Sequence, residues 1–128
     1  MSEKRQLKAD EDKKRRANYI YPKIIKALDS KIRRRILTLL LESKKDIPFS
    51  EIKEKLGSEY DSLLVDDLGF LQRAWLIERR TEVGSPRILK HPYHSFYRLS
   101  EFGKEIITAF SQAVLNAIRI SPETKDKT

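Results

Sequence analysis

Residues 49–81 read FSEIKEKLGSEYDSLLVDDLGFLQRAWLIERRT, and this stretch decides the fold. Its first part predicts a short helix with one apolar face, because Ile52 and Leu56 are spaced by one helical turn. Ser50 is a residue type that caps the start of a helix, and Gly57 stands where a helix-ending glycine belongs. A second helix follows this tight turn, so the stretch predicts the helix-turn-helix arrangement.

The second helix of this pair is expected to begin at a cap formed by Ser58. Three leucines at helical spacing predict its buried face: Leu64, Leu68 and Leu71. After Ala74 the pattern changes from helical to alternating, which predicts a strand over residues 75–81. Residues 84–86 (Gly-Ser-Pro) signal a turn, and residues 96–99 predict a second strand that pairs with the first as an antiparallel hairpin.

Helices are also predicted on both sides of this stretch. Pro22 suits the first turn of a helix, since its missing N–H is not needed there. Ser30 can cap the next helix, whose core-facing stripe consists of Ile32, Ile36, Leu39 and Leu40. Residues 47–49 are expected to form a short extended link. After the hairpin, Ser100 is expected to cap a final helix that runs to about Ile120.

The charge of the chain is strongly positive and unevenly distributed. The 128 residues include 27 Lys+Arg and 19 Asp+Glu, a net charge of +8, with a pI of about 9.7. Residues 59–78 hold one basic and five acidic side chains. In contrast, residues 17–58 hold ten basic and five acidic side chains, and residues 79–98 hold five basic and one acidic. An excess of this size favours a polyanionic partner, most often nucleic acid.

Several function classes are excluded or disfavoured by what the sequence lacks. It contains no cysteine, which excludes disulfides, thiolate metal sites and cysteine nucleophiles. No catalytic motif or phosphate-binding glycine loop is present, so the chain is expected to be neither an enzyme nor a cofactor-binding protein. His91 and His94 have no acidic or cysteine partner nearby, so no metal site is expected. Without an apolar membrane-spanning run or a signal-peptide core, we expect a cytoplasmic protein without a membrane partner.

The distribution of charged and apolar residues also predicts how the chain divides. Residues 1–17 are almost entirely polar and are expected to form a disordered basic arm. Residues 18–120 contain all the predicted helices and strands and are expected to form one domain. Residues 121–128 are polar again and are expected to form a flexible tail.

Four segments in this order resemble the winged helix-turn-helix family, in particular the ArsR-like transcriptional regulators of bacteria and archaea. The first two are ALDSKIRRRILTLLLE, over residues 27–42, and FSEIKEKLG, over residues 49–57. They are followed by LGFLQRAWLIERR, over residues 68–80, and FYRLSEFGKEI, over residues 96–106, which is similar to the strand-to-helix junction of the family. The order of the four segments is more specific than any one of them.

The resemblance implies a mainly α (α+β) fold, with a two-stranded β-hairpin wing and a long C-terminal helix. It also implies a transcriptional regulator that binds double-stranded DNA as a homodimer, usually on a pseudo-palindromic site. In the family the second helix of the helix-turn-helix pair, called the reading helix below, enters the major groove, and the wing contacts the backbone or the minor groove. The family's metal-sensing members use cysteines, which this chain does not have.

The reading helix departs from the usual basic pattern, because it contains Glu59, Asp61, Asp66 and Asp67 against Arg73 alone. Carboxylates are repelled by DNA phosphates, which Lys and Arg normally contact. We therefore expect Asp66 and Asp67 to face solvent or to pair with the arginines at positions 33–35. The basic wing and arm are then expected to supply most of the affinity for DNA.

The expected DNA-binding residues come from the two helices and the wing. Hydroxyl groups near the helix starts can donate to phosphates or bases, and basic wing residues can neutralise phosphates or enter the minor groove. The full set is Ser50, Ser58, Tyr60, Ser62, Arg73, Arg79, Arg80, Arg87, Lys90 and His91.

The apolar surface of the final helix is wider than one small core needs, which favours a symmetric homodimer. The short apolar face after Pro22 is the natural second contributor. The expected dimer interface consists of Ile24, Ile25, Leu28, Ile107, Phe110, Val114 and Ile118.

Two alternatives to a sequence-reading regulator stay open. The chain can be a winged-helix protein–protein interaction module of a transcription or replication assembly, in which the acidic helix faces a protein. It can also be an architectural DNA binder without sequence preference. Trp75 is expected to fill the core, with base stacking as the alternative. No small-molecule effector can be identified from the sequence.

Overall fold

The computed structural model describes residues 2–57, 61–81 and 95–122, and for residues 61 and 62 the backbone alone. The helices in these ranges are α1 (Ser2–Leu28), α2 (Lys31–Glu42), α3 (Phe49–Leu56), α4 (Asp61–Arg73) and α5 (Glu101–Ala117), which continues as a 3₁₀ turn over Ile118–Ile120. The strands are β1 (Ile47–Pro48), β2 (Ile77–Thr81) and β3 (Ser95–Leu99). The protein is therefore mainly helical with a small antiparallel sheet, and no helix in the described ranges has the length and apolar character needed to cross a membrane.

The sheet has three strands in the order β1-β3-β2, with both pairs antiparallel. The pairing of β2 with β3 is as predicted and runs from Ile77 opposite Leu99 to Thr81 opposite Ser95. The third strand was not expected, because β1 was predicted only as an extended link. Pro48 is compatible with this role, since β1 lies at the edge of the sheet, where a missing N–H is tolerated.

The hydrophobic core lies where α2, α3 and α4 meet the sheet and the second half of α1. The predicted inward face of α4 is confirmed, because Leu64, Leu68 and Leu71 are at most 1% exposed. Other buried apolar residues are Ile20, Ile24, Ala27, Ile36, Leu37, Leu40, Ile47, Phe49, Ile52, Leu56, Ala74, Leu76, Ile77, Tyr97 and Leu99. Buried area of this kind is the main favourable term in folding.

Two of the predicted helix caps are confirmed and one is wrong. The Ser30 side chain accepts from Arg33 N, and Ser100 Oγ accepts from Gly103 N over 2.8 Å. Ser50 does not cap α3, because that helix begins one residue earlier, at Phe49. The residue before the helix is Pro48, and Phe49 is buried in the core, so the start of α3 is fixed by packing.

The N-terminal region differs most from the sequence-based expectation. Residues 2–17, expected to be a disordered arm, belong to α1, and Pro22, expected in the first turn of a helix, lies inside it. Ile20, Ile24 and Ala27 pack in the core and anchor this helix. Once a helix is anchored, each further residue adds one hydrogen bond without a new nucleation cost.

Local polar contacts support the exposed half of α1. Arg15 pairs with Asp12 three residues earlier, and Gln6 Nε2 donates to Asp10 Oδ1 over 3.1 Å. Such pairs are neighbours on a helix surface and stabilise it by a few tenths of a kcal/mol each. Of the expected tail over residues 121–128, residues 123–128 lie outside the described residues.

The final helix is confirmed and extends beyond the core. Every residue from 108 to 120 is exposed, including Phe110, Val114 and Ile118. Ile24, expected in a dimer interface, is instead only 8% exposed and packs in the chain's own core. It lies one turn after Ile20 on the buried face of α1, so its side chain stabilises the fold of a single chain.

Gly103 is the point of closest approach between α5 and the chain that enters β2. A Cβ atom built on Gly103 would lie 2.1 Å from the carbonyl oxygen of Leu76, which is a backbone atom and cannot move aside cheaply. Gly69, also inside a helix, differs, because the nearest atom to its Cβ position is the flexible Arg73 Nη1 at 3.0 Å.

These two glycines make a matched test of the fold. We expect Gly103→Ala to lower the free energy of unfolding by about 2–4 kcal/mol, because the added methyl overlaps backbone. Gly69→Ala should be neutral or stabilising by up to about 1 kcal/mol, because alanine favours helix. Urea denaturation of both variants measures the difference, and equal effects would contradict the described packing of α5.

Candidate nucleic-acid interface

A basic groove lies between α2 and α3. Lys31, Arg34 and Arg35 are exposed and share one face of α2, because they are spaced by three and four residues. Lys55 of α3 lines the other side, and the groove encloses about 350 Å³. Glu42 is the one acidic residue among the described residues that line it. We call these four cations the α2–α3 basic groove.

One end of this groove is close in sequence to the start of α4. Leu56, the last residue of α3, is part of its lining, and Gly57 follows with a φ of 96°, as expected for a residue that ends a helix. Helix α4 begins at Asp61, four residues further along, with the unpaired backbone N–H groups of a helix N-terminus.

Arg33 points the other way and holds α4 against the end of α1. Its side chain is 13% exposed, and Nη1 donates to Asp67 Oδ1 over 3.1 Å. Its Nε donates to Ala27 O over 2.9 Å, and Nη2 donates to Lys26 O over 2.8 Å. These carbonyls lie in the last turn of α1, where the usual helical partners are missing, so Arg33 also caps α1.

The pairing of Asp67 changes the electrostatics of the reading helix. The expectation that Asp67 pairs with one of the arginines at positions 33–35 is confirmed, since Arg33 of α2 is its partner. Asp66 is exposed beside the exposed Leu63. Of these two adjacent carboxylates, only Asp66 adds a negative charge to the outward face of α4.

Three cations surround the ring of Phe70 on α4. Arg33, Arg73 and Lys26 lie 4.5, 5.1 and 5.3 Å from the ring centroid. Cations at these distances are attracted by the ring quadrupole, which places positive charge around the second half of α4. Arg73 is exposed and so offers a cation at the end of the reading helix.

The two arginines of β2 named among the expected DNA-binding residues are both held against the sheet. Arg80 Nη1 pairs with Asp46 Oδ2 at 2.8 Å. Burial raises the pKa of the Tyr97 hydroxyl, and the charge and hydrogen bond of the neighbouring Arg79 oppose that rise. The side chains of Arg79 and Arg80 therefore both have polar partners within the protein.

The structure describes only some of the expected DNA-binding residues, and it shows no contact among those it describes. Ser50 is exposed in the first turn of α3, and Ser62 lies in the first turn of α4, with its side chain outside the description. Arg73 ends α4. The others, apart from those on β2, lie outside the described residues: Ser58, Tyr60, Arg87, Lys90 and His91.

The cations of the α2–α3 basic groove were not among the expected site residues. Lys31, Arg34 and Arg35 were visible as the polar face of the second helix, but a charged helix face is ordinarily only solvated. The missing information was the position of Lys55 across from them, which depends on how α3 packs on α2. Among the described residues no three His, Asp or Glu side chains cluster as metal ligands would, and both histidines lie outside the description.

Comparison with models of protein families, with curated proteins and with solved structures finds no match to this chain.

The Arg33 interaction predicts a specific stability difference. Arg33→Ala should lower the free energy of unfolding by about 3–4 kcal/mol, because Asp67 would stay buried without its partner. The control is Arg34→Ala, whose exposed guanidinium donates a single hydrogen bond, to Leu28 O over 2.7 Å. That variant should lose about 1 kcal/mol or less. Urea denaturation that gives the two variants equal losses would contradict this role of Arg33.

Proposed function

We propose that this chain is a winged helix-turn-helix protein that binds double-stranded DNA as a homodimer and regulates transcription. The observation that carries the proposal is the α2–α3 basic groove, whose lining includes the last residue of α3, the helix before α4. Four cations there face one acidic residue, Glu42, in the described lining. In this proposal α4 enters the major groove, and the flanking cations contact the phosphates on either side.

The electrostatics support DNA as the partner. Each phosphate that a lysine or arginine neutralises releases condensed counterions, and this release supplies much of the affinity. An α-helix fits the width of the major groove, and the residues that position it are usually phosphate contacts from neighbouring elements. Because Arg33 forms an ion pair with Asp67, the reading helix repels DNA phosphates less than its acidic composition indicates.

The exposed apolar residues of α5 support the homodimer. Phe110, Val114 and Ile118 are 61%, 46% and 61% exposed, and Ile25 of α1 is 50% exposed. Large apolar side chains grouped on one helix usually mark an interaction surface. A second copy is the simplest partner, because a two-fold dimer would present two reading helices to successive major grooves.

A second candidate function is a protein–protein interaction module, favoured by the outward face of α4. Leu63 is 57% exposed there and lies beside the exposed Asp66. An apolar residue next to a carboxylate suits a protein surface better than a phosphate backbone. In this case binding to DNA would be weak and indifferent to sequence.

The salt dependence of DNA binding tests the proposed function. We expect the triple change Lys31→Gln, Arg35→Gln and Lys55→Gln to weaken binding to duplex DNA. The slope of log K against log salt should fall in magnitude by about 2 to 3, because each lost phosphate contact removes about 0.9. Fluorescence polarisation of a labelled duplex across a salt series measures both quantities.

The matched control removes the same charge from the exposed half of α1, with Lys4→Gln, Arg5→Gln and Lys8→Gln. If this control changes affinity and slope as much as the groove variant does, net charge explains the binding and the groove has no special role. Absence of salt-dependent binding in the unchanged protein would overturn the proposed function itself.

The homodimer predicts a change in mass with concentration. The chain of 15.1 kDa should sediment at twice this mass at micromolar concentration, and Phe110→Ser with Val114→Ser should return it to the monomer. Gln112→Ser with Asn116→Ser is the control, since these exposed α5 residues contact each other. Sedimentation of the unchanged protein as a monomer would contradict the dimer.

A further inference from the structure

A large groove lies between the second half of α1 and the start of α5, and we call it the α1–α5 groove. It encloses about 780 Å³, within the range of small-molecule sites in proteins. Its walls are mainly apolar and aromatic, and they include Ile20, Ile24, Trp75, Ile77, Phe102 and Ile106. This groove is separate from the α2–α3 basic groove, with which it shares no lining residue.

Trp75 stands in this groove in an unfavourable backbone conformation. Its φ is 65°, in the left-handed region that glycine adopts freely and that bulky residues rarely adopt. The position follows the end of α4, where Trp75 N donates to Gln72 O and Leu76 N donates to Leu71 O. Glycine is the usual residue at this point of such a helix end.

The indole ring nevertheless has contacts that explain why a large aromatic residue stands there. Its centroid lies 5.7 Å from that of Phe102 on α5 and 6.1 Å from that of Tyr19 on α1. The ring therefore connects the two walls of the groove while staying only half-buried. Strained residues that stay partly exposed in a cavity are found preferentially at binding sites.

The charges at the groove favour an anion. Lys13 and Arg16 line it from one face of α1, and the Arg16 guanidinium carbon lies 5.9 Å from the Trp75 ring centroid. The two carboxylates in the lining are each paired elsewhere. Glu78 pairs with Arg98 at 2.8 Å, and Glu101 pairs with Lys104 at 3.5 Å.

The positive charge of Lys13 and Arg16 is not balanced in this way. Neither residue has an ion pair with an acidic side chain in the part of the chain that the structure describes. One end of the groove therefore carries two cations above an apolar and aromatic floor.

We propose that the α1–α5 groove binds a small organic anion with an aromatic body, such as an aromatic carboxylate. The aromatic part would lie against Trp75 and Phe102, and the carboxylate would face Lys13 and Arg16. This site goes beyond the proposed DNA-binding function and does not depend on it. The competing occupant is a second copy of the chain, which would fill the groove in a dimer and leave no room for the ligand.

The single tryptophan of the chain gives a direct readout. The indole N–H of Trp75 contributes one cross-peak to a ¹H–¹⁵N spectrum, and we expect 2-naphthoate to shift it in a saturable way. The expected dissociation constant is about 1 mM, from the usual affinity per atom of a ligand of this size. The matched cation, 2-naphthylmethylammonium, should bind at least about fivefold more weakly, because it meets the same two cations.

Paired variants separate the site from general charge effects. Lys13→Gln with Arg16→Gln should weaken naphthoate binding about five- to tenfold. Lys14→Gln with Arg15→Gln, which removes the same charge from side chains outside the groove lining, should leave it unchanged. Trp75→Gly, which suits the left-handed backbone, should abolish the binding of naphthoate in a ligand-detected saturation-transfer measurement.

Three results would overturn the proposal. The first is that naphthoate causes no saturable shift of the indole peak. A second copy of the chain that fills the groove would give this result. Another is equal binding of the anion and the cation. The third is equal weakening in the two double variants. None of these results bears on the salt dependence of DNA binding, so the proposed function is tested independently of this site.

Discussion

The orientation of α4 depends on the Arg33 guanidinium. This one group donates to two carbonyls at the end of α1, pairs with Asp67 of α4 and lies over the Phe70 ring. A largely buried charge is tolerated only when its partners satisfy it, and here they come from two other helices. The interaction therefore adds a polar contact to the same side of α4 that Leu64, Leu68 and Leu71 bury in the core. It also explains part of the acidic composition of α4, because Asp67 is buried in this ion pair and does not lie on the outer surface of the helix.

With α4 held in this way, the remaining surfaces divide into regions of different chemistry. The basic face of α2 and Lys55 line one groove, whose positive charge suits a polyanion. The groove between α1 and α5 is mainly apolar, with Trp75 at its floor and two cations at one end. The second half of α5 leaves the core altogether and exposes large apolar side chains, as a subunit interface does before assembly. The proposed activities of the chain, which are DNA binding, dimer formation and binding of an aromatic anion, thus use separate surfaces.

Much of the fold could be predicted because local signals agree with the packing. The leucines of α4, the caps at Ser30 and Ser100 and the pairing of β2 with β3 follow from spacing and residue type. The failures occur where tertiary contacts override local signals. The polar segment 2–17 is helical because residues further along α1 anchor it, and α3 starts at Phe49 because that ring is buried. The candidate site shows both outcomes, because the pairing of Asp67 with an arginine at positions 33–35 was predicted, whereas nothing in the sequence places Lys55 opposite Lys31.

Selection from a library of random duplexes at physiological salt shows whether α4 reads DNA in a two-fold dimer. If it does, we expect enrichment of a pseudo-palindrome whose half-sites lie about 10 base pairs apart, the spacing of successive major grooves on one side of the helix. Recovery of duplexes without any common sequence would contradict the claim and favour an interaction module or an architectural role.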